Sequence, residues 1–82
     1  MDEPLPTRHE RRRLHTRKLL TQATLQLILE KGYNAISIQD ITERADLGRG
    51  TFYLHFKDKD EIIWTMFQDL LRELEQEAHK QI

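Results

Sequence analysis

The sequence predicts an all-α fold, a small helical bundle. Apolar residues recur at three- and four-residue spacing through most of the 82 positions, and no segment sustains the alternation of a strand. Cap chemistry punctuates the periodic runs: Ser37 and Asp58 are each followed three residues later by an acid.

Met1 to Thr7, with Pro4 and Pro6, reads as extended or disordered, because proline lacks a backbone donor and biases the preceding residue away from helix. A first helix is expected from about Arg12 to Lys31, its inner face formed by Leu20, Ala23, Leu27 and Ile28 with Leu19 and Thr24 beside them, and ended by Gly32. Residues 1–11 are then a disordered basic arm. A second helix, "IQDITERA", is capped by Ser37 with Asp40 three residues on, and turns Ile38, Ile41 and Ala45 inward. It stops at "DLG", where Asp46 tolerates left-handed geometry and Gly48 can cap a third helix, about Arg49 to His55. The fourth helix begins at Asp58, with Glu61 completing its first turn and a stripe of Ile63, Phe67, Leu70 and Leu74 that continues through Leu71 into Ala78.

Two short helices joined by a three- or four-residue turn containing glycine form the helix-turn-helix pattern, whose second helix enters the DNA major groove. The segment "RGTFYLHF" suits that task. Phe52 and Phe56, four apart, pack inward, which leaves Arg49, Thr51, Tyr53 and His55 around the outer surface. Arginine reads guanine with two donors, threonine touches a thymine methyl or a phosphate, and tyrosine and histidine donate to phosphate oxygens. Gly50 keeps no side chain between backbone and groove, at about 1 kcal/mol relative to alanine in a helix.

Charge is divided to match. Met1 to Lys59 holds eleven Lys or Arg against eight Asp or Glu, whereas Asp60 to Ile82 holds two against six. The stretch "RHERRRLHTRK" alone carries Arg8, Arg11, Arg12, Arg13, Arg17 and Lys18 against the single acid Glu10, the clustered footprint of a polyanion-binding surface.

The segment "SIQDITERADLGRGTFYLHFKDKDEII" resembles the DNA-binding signature of the tetracycline-repressor-like (TetR) transcriptional regulators. The matching positions are Ser37, Ile41, Ala45, Gly50, Thr51, Tyr53, His55, Phe56 and Lys59, and the likeness extends from about Leu14 to Leu71. It implies a homeodomain-like three-helix core over residues 12–57 and a fourth helix, 58–82, leading to a C-terminal domain beyond this chain. By the same resemblance Arg49 and Thr51 face bases, Gln39 approaches a base edge, Ser37 and Lys59 approach phosphate, and Gly50, Tyr53 and His55 complete the DNA-binding set. It further implies a repressor acting as a homodimer on double-stranded DNA with a palindromic operator. A small-molecule effector would bind the C-terminal domain, so this chain reads as an N-terminal fragment. Three positions depart from the family pattern: Asp46 stands for a glycine, Gly48 for a serine or threonine cap, and Thr42 for a small alanine.

Other classes find little support. No run approaches the roughly 18 apolar residues of a membrane span, and the N-terminus lacks the apolar segment of a secretory signal, so a cytoplasmic, nucleoid-associated protein is expected. His9, His15, His55 and His79 lack metal-site spacing, cysteine is absent, and "GRG" is neither a dinucleotide fingerprint nor a phosphate loop. No catalytic residue, cofactor or metal is expected. The remaining rival is a helical protein-interaction module that uses the apolar face of the fourth helix.

Overall fold

The computed structural model describes residues 7–80, which form four α-helices: α1 (Arg8–Lys31), α2 (Ile38–Ala45), α3 (Arg49–His55) and α4 (Lys59–Lys80), with a 3-10 turn at Tyr33–Ala35. No strand occurs among the described residues, in accord with the all-α expectation. Met1 to Pro6 lie outside the described residues, as do the side chains of Ala78 and His79.

The first helix starts four residues earlier than expected. Thr7 is its cap, the hydroxyl accepting from the Glu10 amide at 3.1 Å, with Glu10 in the first turn where a carboxylate favours the helix dipole. Residues 8–11 are therefore helical and not part of a disordered arm; the "T-x-x-E" pattern at Thr7 to Glu10 overrides the proline before it. At the far end the Gly32 amide bonds to the Ile28 carbonyl at 2.8 Å, and Gly32 itself takes φ 84°, ψ 158°, a region essentially open to glycine alone.

In α2 the capping box is complete: the Ser37 hydroxyl accepts from the Asp40 amide at 3.1 Å, and the Asp40 carboxylate accepts from the Ser37 amide at 2.9 Å. The Ser37 amide first, and the Ser37 hydroxyl after it, hold the Asp40 carboxyl below its usual range, helped by the charge of Lys31. The helix ends in a Schellman motif, with Asp46 in left-handed geometry at φ 58°, ψ 46°, its amide on Glu43 and the Leu47 amide on Thr42. Aspartate thus does the conformational work of the glycine it stands for.

Leu20, Ala23 and Leu27 of α1, Ile36, Ile41 of α2, Phe52 of α3, Phe56 and Ile62 of α4 form one buried core, with Ile28, Ile38, Ala45, Leu47 and Ile63 packed against it. Phe52 and Phe56 meet at 5.7 Å between ring centres. Thr24 and Thr42, both buried, satisfy their hydroxyls on the Leu20 and Gln39 carbonyls. Thr42 is thereby accommodated where the family pattern has alanine.

The fourth helix corrects the expected stripe. Ile62, absent from that stripe, is fully buried, while Phe67, Leu70 and Leu74 are each more than half exposed. Periodicity alone could not choose between the neighbouring Ile62 and Ile63, which lie about 100° apart around the axis. The packed unit extends past residue 57 into α4.

Two polar braces fix the helices to one another. Arg44 of α2 makes a bidentate pair with Glu30 of α1, both bonds 2.7 Å, which lowers the Glu30 carboxyl and raises the guanidinium. Tyr33 is the second: its hydroxyl donates to Asp60, and its ring lies 4.4 Å beneath the Lys59 ammonium.

Candidate nucleic-acid interface

The inward aromatics orient α3. With Phe52 and Phe56 buried, Gly50, Tyr53 and Leu54 are exposed on the outer side of α3, Arg49 is exposed at its first position and Lys57 just past its end, while Thr51 and His55 are half-buried. Gly48 caps the helix through its backbone alone, and a Cβ built at Gly48 or Gly50 meets nothing within 4 Å, so this end of α3 is open to a close-approaching ligand. The Tyr53 ring stands edge-on to Phe52 at 5.4 Å, which leaves the phenol outward.

Ser37 is exposed at the start of α2, and Gln39 of α2 and Arg49 of α3 are exposed where the two helices meet. Arg49 Nη2 donates to Gln39 Oε1 at 3.0 Å, and Gln39 Nε2 donates to Glu43 Oε1 at 3.0 Å. Two of the residues expected to meet base edges are therefore joined in the free protein. The Ser37 hydroxyl is engaged with Asp40, its oxygen accepting from the Asp40 amide.

His55 is pushed below its usual 6.5, first by burial and then by the positive charges of Arg13 and Arg17. The charges of Arg13 and Arg17 on α1 thus reach His55 at the end of α3, although the two segments lie far apart in sequence. Arg11, Arg12 and Arg13 are exposed on α1, and Arg17 also pairs loosely with Asp69 of α4 at 3.7 Å. A rigid helix, and not a loose arm, presents these charges.

Lys59 stands apart from the other expected residues. It is half-buried, and its ammonium donates to the Ile36 carbonyl at 2.9 Å and the Tyr33 carbonyl at 3.3 Å. Two of its three donors serve the fold, and one is left for a ligand.

The sequence reading did not single out Leu54 and Glu43. Leu54 is 76% exposed on the outer face of α3; the signal was its position four residues after Gly50, on the face opposite the two phenylalanines. Glu43, four residues after Gln39, was legible as an i,i+4 partner.

Elsewhere an open groove of about 620 Å³ runs between α1 and α4, lined among others by Leu14, Leu25, Phe67 and Leu70. Trp64 stacks on Phe67 nearby. Among the described residues no group of three His, Cys, Asp or Glu side chains is placed to hold a metal ion, and no helix is long and apolar enough to cross a membrane.

The family described as "Bacterial regulatory proteins, tetR family" matches residues 20–64. Among curated proteins, the chain is 42% identical over 60 residues to YxbF of Bacillus subtilis (strain 168), an uncharacterized HTH-type transcriptional regulator; the match covers 72% of this chain and 16% of that protein. It is 36% identical over 64 residues to the HTH-type transcriptional repressor DhaR of Mycobacterium sp. (strain GP1), covering 73% and 32%. It is also 36% identical over 56 residues to the transposon Tn10 TetC protein of Escherichia coli, covering 68% and 28%. The chain thus spans about a sixth to a third of the length of these relatives. No solved structure matches it.

Proposed function

The chain belongs to the tetR family of bacterial regulatory proteins, and on that premise we propose that it is the sequence-specific, double-stranded-DNA-binding region of a transcriptional regulator, most simply a repressor. The observation that carries the reading is the exposed face of α3, held outward by Phe52 and Phe56 and joined through Arg49 to Gln39 of α2. In this proposal α3 lies in the major groove, Arg49 and Thr51 meet bases, and Gln39 meets a base edge beside them. Leu54 adds an apolar contact of the kind a thymine methyl accepts. Ser37, Tyr53, His55 and the remaining donor of Lys59 reach phosphate and sugar, and Gly50 lets the backbone come close. The basic half of α1 supplies a sequence-independent attraction that weakens with salt.

For the whole protein we propose two such domains on a palindromic operator, with homodimerisation and effector binding lodged in other parts of the chain. The apolar groove between α1 and α4 supports a second reading, in which this face meets a protein surface. The two readings differ in their response to salt, because apolar contacts are much less screened than phosphate contacts.

The test is selection from a random duplex pool at fixed moderate salt, with the chain joined to an unrelated dimerising coiled coil. An enriched inverted repeat is expected. Arg49→Ala should then lose about 1–3 kcal/mol of discrimination at one base position of each half-site, with little change elsewhere. Retained duplexes with no shared sequence, and binding insensitive to Arg49→Ala, would overturn the reading in favour of the groove.

A further inference from the structure

Gln39 is an ambiguous reader on its own: its amide carries an acceptor at one end and donors at the other, and a half-turn about the last side-chain bond exchanges them. In this chain both ends are engaged. Oε1 accepts from Arg49 at 3.0 Å and Nε2 donates to Glu43 at 3.0 Å, so a half-turn would set an amide N–H against the guanidinium and the amide oxygen against the carboxylate.

Glu43 is available for this because its neighbour Arg44 is committed elsewhere, to Glu30 of α1. Among the described residues Glu43 forms no ion pair, and the polar group its side chain bonds is the Gln39 amide. The row Glu43, Gln39, Arg49 therefore runs from a carboxylate through an oriented amide to a guanidinium, across the corner between α2 and α3. The side-chain hydrogen bond that Arg49 makes is the one it donates to Gln39, and that bond aims its guanidinium.

We propose that Glu43 is a specificity-positioning residue: without touching DNA, it fixes which way Gln39 presents its amide and, through Gln39, where Arg49 points. This rests on the DNA-binding reading above. With one donor engaged by Gln39, the rest of the Arg49 fork projects outward in one orientation. The second N–H and second lone pair of Gln39 stay available, also in one orientation. A negative charge on a phosphate-facing surface costs affinity for every sequence alike. Its place here is explained by what it does to the choice among sequences.

Two variants separate positioning from simple charge repulsion. Glu43→Gln removes the charge but keeps an amide oxygen able to accept from Gln39; Glu43→Ala removes both. Glu43 is exposed, so neither change opens the core. In the free chain, Glu43→Ala should shift the side-chain amide resonances of Gln39 and bring its two N–H signals towards their solvent-exposed positions, while Glu43→Gln keeps them dispersed. On the selected operator, Glu43→Ala should reduce discrimination at the base pairs read by Gln39 and Arg49 by about tenfold, a fraction of what a good bidentate contact supplies. Glu43→Gln should retain most of it.

Unchanged Gln39 resonances in Glu43→Ala would overturn the proposal without any reference to DNA. So would both variants raising affinity equally for all sequences, which is the signature of lost repulsion, or both switching preference at a single cytosine, which would make Glu43 a direct reader. A wild-type chain that enriched no sequence would bring down the DNA-binding reading and this relay together.

Discussion

Replacing Lys59 by methionine keeps the length of the side chain and removes its ammonium. Three contacts disappear: the 2.9 Å bond to the Ile36 carbonyl, the 3.3 Å bond to the Tyr33 carbonyl and the approach to the Tyr33 ring at 4.4 Å. The shorter bond, made by a charged donor at a half-buried site, is worth about 1.5 kcal/mol, and the long bond and ring contact together under about 1 kcal/mol, so the loss is about 2 kcal/mol. A chain of 82 residues has an unfolding entropy of about 0.17 kcal/mol/K near its midpoint. The melting temperature should therefore fall by about 12 °C, read by the helical circular dichroism signal. At a temperature where the variant is still folded, its DNA affinity should weaken for all sequences alike and the salt slope should drop by about one unit, if the third donor of Lys59 reaches a phosphate. A melting temperature lowered by less than about 3 °C would refute the structural role; an unchanged salt slope in the folded variant would confine Lys59 to the fold.

The buried position of Ile62 predicts that Ile62→Val costs about 1 kcal/mol, or about 6 °C of melting temperature, and Ile63→Val less than half as much; equal effects in thermal scans would contradict the packing of α4. His55 should couple DNA binding to protons. Its imidazole is held below 6.5 in the free chain, so the folded state loses stability as pH falls through that range; a phosphate beside the ring raises the value again, and affinity should increase from pH 8 towards pH 6. A pH series of binding isotherms should show that dependence in the wild type and not in His55→Gln. Ser37→Ala should cost about 1 kcal/mol through the lost cap. Because the Asp40 carboxyl is held down by the same box, its contribution is present above its usual 3.8 and lost as pH falls, so denaturation followed towards acid should be less steep in Ser37→Ala than in the wild type.

What could be read from the sequence was whatever a few consecutive residues decide. The capping box of Ser37 and Asp40, the left-handed Asp46 and the inward pair Phe52 and Phe56 each need only local spacing and intrinsic conformational preference, and each stands where that spacing puts it. The start of α1 was misjudged because two prolines outweighed a cap that begins immediately after them. The choice of Ile62 over Ile63 is made by tertiary packing. Lys59 meets Tyr33 across 26 residues and Arg44 meets Glu30 across 14, pairings that no local rule anticipates. The surface of α3 was legible as a set of residue types, and Gln39 with Glu43 as an i,i+4 pair within α2; the bond from Arg49 to Gln39 was not, because it depends on how α2 and α3 are set against each other.

Gly32 is not part of the α3 surface, yet its left-handed backbone conformation strains any side chain, and the next residue, Tyr33, receives both Lys59 and the turn that delivers α2. In a mutational map of this chain, tolerance would therefore not follow distance from DNA. The joint after α1 would score as intolerant as a base-reading position, and a screen for loss of regulation would recover changes at Gly32 whose carriers still possess every contact residue but no longer hold them in one frame.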